Sequence, residues 1–250
     1  MTTPRRYALL RPDLLPSLQR GETAVAGLMA GHSKTLRPGA ALMEMGEGHE
    51  TVYRVRAGWF VQVRALPDGR NQIIEVFVPG DLVGVKTMFL AQQFETVQAL
   101  TIAAVEHAPC RQMRDLSASN PDVSLRLMWQ ILEDERRLHA GIVSLGQGNA
   151  DERMAQMLLD FHGRLADADL ICEDASEFPL PMTQQHLSDL LGISEVHVNR
   201  VLRRLREQGL VTMHSGKVRL LNRSALEMLA CPVQDAFERG SLDTCEGTAS

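Results

Sequence analysis

Between residues 36 and 110 the apolar positions recur at every second residue, in short runs punctuated by glycine; beyond residue 120 the period lengthens to that of a helix. The run VYRVRAGWFVQVRAL alternates about Gly58 as a pair of strands would, and the turn Pro67-Asp68-Gly69 reverses the chain into NQIIEVFV. Pro79-Gly80-Asp81 supplies a second turn at once. Short strands at such regular intervals predict an antiparallel sandwich or jelly roll, either holding a ligand or packed solid.

Asn120-Pro121-Asp122 marks the start of a helix, with proline in the first turn, and no further proline follows until well past Gln147. Met128, Ile131, Leu138, Ile142 and Leu145 occupy the a and d positions of one heptad frame, with Glu135 as the single charge on that seam. A helix of about 27 residues is roughly 40 Å long, more than a small domain needs for its core. The expectation is a dimerisation helix over 120–147; packing on its own β-domain is the alternative. Gly146-Gln147-Gly148 ends it, Asn149 caps a following helix over DERMAQMLLDFHGRL, and the acidic stretch ADADLICEDASEFPLP reads as a solvated connection.

Two short helices come next. Thr183 caps QQHLSDLL, in which His186, Leu187, Leu190 and Leu191 are spaced for a buried face. Gly192 permits a left-handed turn, and Ser194 caps EVHVNRVLRRLREQG, whose Val198, Val201, Leu202 and Leu205 point to the same core. Gly209 ends that helix, and LVTMHSGKVRLLN turns at Ser215-Gly216 as the wing of a winged helix-turn-helix. The N-terminal residues of a recognition helix reach base edges, so Val196, His197, Asn199 and Arg200 are the expected base readers. Thr183, Ser194, Arg203 and Lys217 are the expected phosphate contacts, Lys217 at the wing tip. A helical hairpin in an ordinary core is the bland alternative.

Charge changes this picture in one place. The chain carries a net −5, yet from Leu180 to Arg223 seven basic side chains face three acidic ones, leaving +4 there and −9 elsewhere. Such asymmetry suits a protein that offers nucleic acid one face. Hydrophobic residues make up 44% of the 250, enough for two modest domains, and no apolar run is long enough to span a membrane. The opening MTTPRRYALLRPDLLP is broken by Arg11, Pro12 and Asp13 and is no secretory signal, which places the chain in the cytoplasm. Cys110, Cys172, Cys231 and Cys245 are scattered without C-x-x-C spacing, so unpaired thiols are expected and no metal is.

These elements in this order resemble the Crp/Fnr superfamily of bacterial transcription regulators, from about residue 36 to 226. The β-roll pattern is Pro38-Gly39, Gly46, Tyr53-Arg54-Val55, Gly58, Asp68-Gly69-Arg70, Pro79-Gly80-Asp81 and Gly84; RMAQMLLDF follows the long helix, and LSDLLGISEVHVNRVLRRLREQGLV is the most specific stretch. The resemblance implies an α+β chain: an N-terminal segment and effector-sensing β-roll (1–119), a dimerisation helix (120–147), a winged helix-turn-helix (148–226) and a C-terminal tail (227–250). It further implies a homodimer on a near-palindromic site in double-stranded DNA, contact with RNA polymerase, and no catalysis. No Ser/His/Asp, Cys/His or phosphate-loop constellation argues otherwise. A β-roll that regulates a partner enzyme or signalling complex is the rival reading.

The effector is where this sequence leaves the family pattern. Members that bind cyclic AMP carry a ribose-binding glutamate just after the final β-roll glycine; Val85 and then Lys86 follow Gly84 here. Their phosphate-binding Arg-Ser pair aligns with Phe94-Glu95, and their adenine-contacting Thr-Ser with Leu138-His139. A carboxylate and a phenyl ring are the wrong chemistry for a cyclic phosphodiester, which needs a cation or clustered amides. Val85, Lys86, Phe94, Glu95 and His139 therefore mark a pocket position whose effector, if any, is not cyclic AMP bound in the usual mode. The oxygen-sensing members hold iron–sulfur clusters on closely spaced N-terminal cysteines, of which this chain has none before Cys110; lone His49, His107 and His139 make poor haem ligands. No cofactor is expected. In the recognition helix the family's glutamate is Val196, with His197 and Asn199 also altered; Arg200 is kept and suits guanine O6 and N7.

Overall fold

The computed structural model describes residues 11–233 and divides into two compact units between Arg136 and Arg137. The first is, over its described residues, an eight-stranded antiparallel roll with two helices and the start of a third. Its strands are β1 (Ser33–Leu36), β2 (Ala41–Met43), β3 (Thr51–Ala57), β4 (Phe60–Ala65), β5 (Asn71–Phe77), β6 (Leu82–Val83), β7 (Thr96–Ala99) and β8 (Ala103–Pro109). They form two sheets, β1-β8-β3-β6 and β2-β7-β4-β5. Side chains of both sheets meet between them, Leu42, Tyr53, Val55, Phe60, Phe77, Val97 and Val105 among them, which is the jelly roll that the alternation predicts. The turn at residues 67–69 joins β4 to β5 as expected.

The strands on either side of Gly58 do not pair with each other: β3 and β4 belong to different sheets. Gly58 has a φ of +75°, and a Cβ there would lie 2.4 Å from the carbonyl oxygen of Ile102. The alternation does mark two strands, but the corner between them needs a bare glycine because another backbone passes against it.

Two helices and the first part of a third, up to Arg136, complete this unit. The sequence pattern predicts no element for the N-terminal segment, yet α1 (Leu15–Met29) forms there and buries Leu18, Gly21, Val25 and Met29 at helical spacing. A Cβ on Gly21 would come within 2.1 Å of the Asp122 carbonyl oxygen, so α1 lies backbone to backbone on the next helix but one. Helix α2 (Cys110–Ser119) leads into α3 (Pro121–Gln147), the 27-residue helix expected over 120–147. On its first turns Val123 and Leu127 are buried with Arg126, Gln130 and Asp134. That polar row is tied together: Arg126 pairs with Glu22 of α1 and donates to Gln130 Oε1 (3.3 Å), and Gln130 Nε2 donates to Asp134 (2.8 Å).

The second unit holds α4 (Ala150–Asp167), β9 (Glu177–Pro179), α5 (Gln184–Leu191), α6 (Glu195–Glu207), β10 (Val211–His214), β11 (Lys217–Leu220) and α7 (Arg223–Ala230). Asn149 caps α4 in a full capping box with Glu152. One segment departs from expectation: residues 177–179 of the supposed solvated connection form β9, which joins β10 and β11 in a three-stranded sheet of order β10-β11-β9. Three residues ending in proline carry no strand period of their own; only β11 makes them a strand. Helix α7 carries the unit past residue 226, with Leu226, Ala230 and Val233 buried, and the rest of the expected tail from 234 lies outside the described residues. Cys110 and Cys172 are free thiols, as expected. Cys231 is disulfide-bonded, which corrects the expectation of unpaired thiols; sequence spacing carries no information on distance in space.

Candidate nucleic-acid interface

Helices α5 and α6 form the helix-turn-helix, and each start is fixed by its own cap. Thr183 Oγ1 accepts from the His186 backbone N–H (3.2 Å) while His186 Nδ1 accepts from that of Thr183 (3.1 Å), a capping box with histidine in the place of glutamate. Gly192 turns the chain at φ +65°, and Ser194 Oγ accepts from the His197 N–H at 3.3 Å. Val198, Val201 and Leu205 are buried, whereas Leu202, expected beside them, is only half-buried. In α5, Leu187 and Leu191 are buried, with His186 and Leu190 half-buried. Arg153 locks the motif to the end of α3: its guanidinium donates to the carbonyls of Leu145 (2.7 Å), Gly148 (2.8 Å) and Leu191 (3.2 Å).

With that core filled, α6 turns Val196, Asn199, Arg200 and Arg203 to solvent and leaves His197 half-buried. Val196 is 61% exposed, an apolar side chain on an otherwise polar face. The cations of this unit differ sharply in their surroundings. Arg203 pairs with Glu207 at 2.8 Å, Arg204 with Asp151 at 2.5 Å, and Arg223 with Glu227 at 2.9 Å. Lys217 and Arg219 share Glu177, each at 3.0 Å, and their hydrogen bonds hold its carboxyl below the usual carboxylate range. Arg200 has no carboxylate partner among the described residues. Asn199 is engaged in a way no sequence period would signal: its amide exchanges two hydrogen bonds with that of Gln184, the first residue of α5.

The wing follows the predicted order. β10 and β11 pair in register from Val211↔Leu220 to His214↔Lys217, and Ser215 and Gly216 close the hairpin at φ +51° and +73°. Thr183 and Ser194, expected at phosphates, have their hydroxyls engaged in capping.

In the roll, the positions expected around an effector are in unlike surroundings. Val85 is 3% exposed inside an apolar cluster with Val25, Val52 and Leu82, which removes it from any ligand-lining surface. Lys86 and Phe94 differ from it in polarity and setting: Lys86 is exposed, and Phe94 is an exposed phenyl ring two residues before β7. Glu95 is half-buried, paired with Arg64 and accepting from Gln62 Nε2 at 2.9 Å. His139 is exposed and belongs to the other unit. On α3 the seam Met128, Ile131, Leu138, Ile142 and Leu145 is between 38% and 67% exposed, with Glu135 exposed among them.

Comparison with known proteins agrees with both halves. A cyclic nucleotide-binding domain model matches residues 33–120, and a Crp-like helix-turn-helix domain model matches residues 152–229. The nitrogen fixation regulation protein FixK of Bradyrhizobium diazoefficiens is 30% identical over 183 residues, covering 71% of this chain and 73% of that protein. This chain belongs to the Crp/Fnr family of transcription regulators.

Other Crp/Fnr proteins extend the likeness. The transcriptional activator protein FnrA of Stutzerimonas stutzeri is 28% identical over 206 residues, or 81% of this chain and 82% of its own. The structure of FixK2 from Bradyrhizobium japonicum superposes with a TM-score of 0.72 at 26% identity, covering 79% of this chain and 96% of that one. A CRP-family regulator from Thermus thermophilus gives 0.65 at 27% identity over 79% of this chain and 96% of its own. The helix-turn-helix of this Crp/Fnr regulator is a DNA-binding domain, and the family is not an enzymatic one. No helix among the described residues is long and apolar enough to cross a membrane.

Proposed function

We propose that this Crp/Fnr regulator binds a near-palindromic promoter site as a homodimer in the cytoplasm and reads each half-site with Arg200, contacting RNA polymerase to set transcription. The observation that carries this reading is the contrast among cations: Arg203, Arg204, Lys217 and Arg219 are each paired with a carboxylate, whereas Arg200 is exposed without one among the described residues, on the outward face of the N-terminal half of α6; Arg206, the other arginine of α6 without one, lies in the last turn, away from the end that enters the groove. A guanidinium left unpaired at that position is ready to meet guanine O6 and N7 bidentately. Val196 on the same helix cannot accept from cytosine N4 and suits a thymine methyl instead. The seam of α3 supports the dimer, and two-fold symmetry then sets half-sites about one helical turn apart. Glu95 on Arg64 and Val85 in the apolar core support an effector other than cyclic AMP bound in the usual mode, or none.

The test is fluorescence anisotropy on a selected site and a scrambled duplex across a salt series. Arg200→Ala is expected to cost about 1–3 kcal/mol on the selected site and to relax preference at one guanine per half-site. An equal loss on both duplexes would make Arg200 a phosphate contact and overturn this assignment.

A further inference from the structure

We infer that Gln184 is a specificity-determining positioning residue: it occupies the edge of Asn199 that would otherwise read adenine. The inference rests on the DNA-reading role of α6 given above and concerns a residue of α5 outside that helix.

The two amides form a closed ring. Gln184 Nε2 donates to Asn199 Oδ1 at 2.5 Å, and Asn199 Nδ2 donates to Gln184 Oε1 at 2.7 Å. Both residues are exposed, so neither bond is forced by burial. A primary amide has two N–H donors and two lone pairs. A reciprocal pair uses the N–H cis to the carbonyl oxygen together with the lone pair on the same side. Those two groups are the ones that asparagine presents to adenine N7 and N6 in a bidentate contact. With Gln184 in place, the remaining N–H and lone pair of Asn199 diverge toward opposite sides of its amide. They cannot meet a single base edge together. Asn199 can then make only one hydrogen bond to any one base edge, and one bond discriminates less than two.

Backbone geometry keeps the ring closed. Gln184 is the first residue of α5, directly after the Thr183 cap, and Asn199 lies in the second turn of α6, one residue before Arg200. Gly192 and the Ser188 hydroxyl, which donates to the Ile193 carbonyl at 2.5 Å, fix the turn that joins the two helices. The neighbouring Arg200 meets no carboxylate among the described residues, so guanine reading by Arg200 and adenine reading by Asn199 separate: the first is available and the second is held off.

The experiment determines base preference at every position of the half-site for the full-length protein, the Gln184→Ala variant, Asn199→Ala and the double variant, by competition binding with single-substituted duplexes. Gln184→Ala is expected to gain preference for adenine at one base pair per half-site by about fivefold or more, the lower end of a bidentate contact. Preference at the Arg200 guanine is expected to stay unchanged. The double variant is expected to match Asn199→Ala, because the gain acts through Asn199. Gln184→Glu provides a second test: a carboxylate can accept from Asn199 Nδ2 but cannot donate back, so a smaller gain in selectivity is expected than for Gln184→Ala. Uniform weakening over all duplexes by Gln184→Ala would make it a phosphate contact and overturn the inference while leaving the Arg200 reading intact. A gain that persists in the double variant would overturn it as well. Wild-type protein that binds selected and scrambled duplexes alike would overturn both readings.

Discussion

Lys217 at the tip of the wing is held 3.0 Å from Glu177 of β9, the same carboxylate that holds Arg219. The register makes this arrangement: Arg219 lies opposite Glu177 and Lys217 opposite Pro179, so both cations project on the face that Glu177 occupies. A phosphate approaching the wing competes with that carboxylate. Removing the competitor by Glu177→Gln is expected to tighten binding to all duplexes alike and to steepen the salt dependence. Lys217→Ala is expected to weaken all sequences alike and to flatten the slope by about one unit. Anisotropy titrations at several salt concentrations check both; an unchanged slope in the two variants would remove the wing from the interface.

His186 gives the DNA-binding unit an acid-sensitive cap. Its Nδ1 accepts from the Thr183 N–H, which only the neutral ring can do, and burial lowers its pKa from the ordinary 6.5 against a smaller opposing effect of Asp189. With the folded-state value depressed, the stabilising contribution is complete above pH 6.5 and fades as the pH falls through the folded value. Glutamine fills the same capping role without titrating. His186→Gln is therefore expected to lose less melting temperature than wild type between about pH 7.5 and 5.5, and amide exchange at Thr183 should lose the part of its pH dependence that the ring confers. An identical loss of melting temperature in both proteins would show that the cap is not the titrating element.

The exposed seam of α3 predicts the assembly. Leu138 and Ile142 are 40% and 67% exposed in the single chain, a row of apolar side chains that a second copy would cover. Replacing both by aspartate would set charge against charge at a cost on the order of several kcal/mol. Light scattering at micromolar concentration is expected to show a dimer for wild type and a monomer for the double variant. A monomeric wild type sinks the assignment.

Cyclic AMP is expected neither to bind tightly nor to change DNA affinity. Glu95, which the sequence aligns with the phosphate-binding position of cyclic-AMP-binding members, is engaged by Arg64 and Gln62, and Phe94 is 59% exposed. Isothermal titration calorimetry with cyclic AMP should give no heat beyond dilution, and a low-micromolar dissociation constant would show a binding mode that uses other residues.

Local pattern determined much of this protein. The period-two runs of residues 36–110, the heptads of α3 and the cap-turn-cap sequence from Thr183 to Ser194 each carry their structure in neighbouring residues, because side-chain periodicity and capping act over a few positions. The outward placement of Val196, Asn199 and Arg200 follows from the buried spacing of Val198, Val201 and Leu205 in the same way. What escaped is what needs a distant partner. Helix α1 is hidden by Pro12, Asp13 and Pro16 near its start, though Leu18, Gly21, Val25 and Met29 show its buried face once Asp122 is known to lie against it. β9 is a strand only because β11 lies beside it, and Gly58 is a corner between sheets only because Ile102 passes at its back. The same holds at the interface: sequence supplied an arginine and an asparagine side by side on one face of α6. Tertiary structure left Arg200 without a carboxylate among the described residues and closed Asn199 against Gln184, fifteen residues away in the chain, since hydrogen-bond partners are chosen by distance in space.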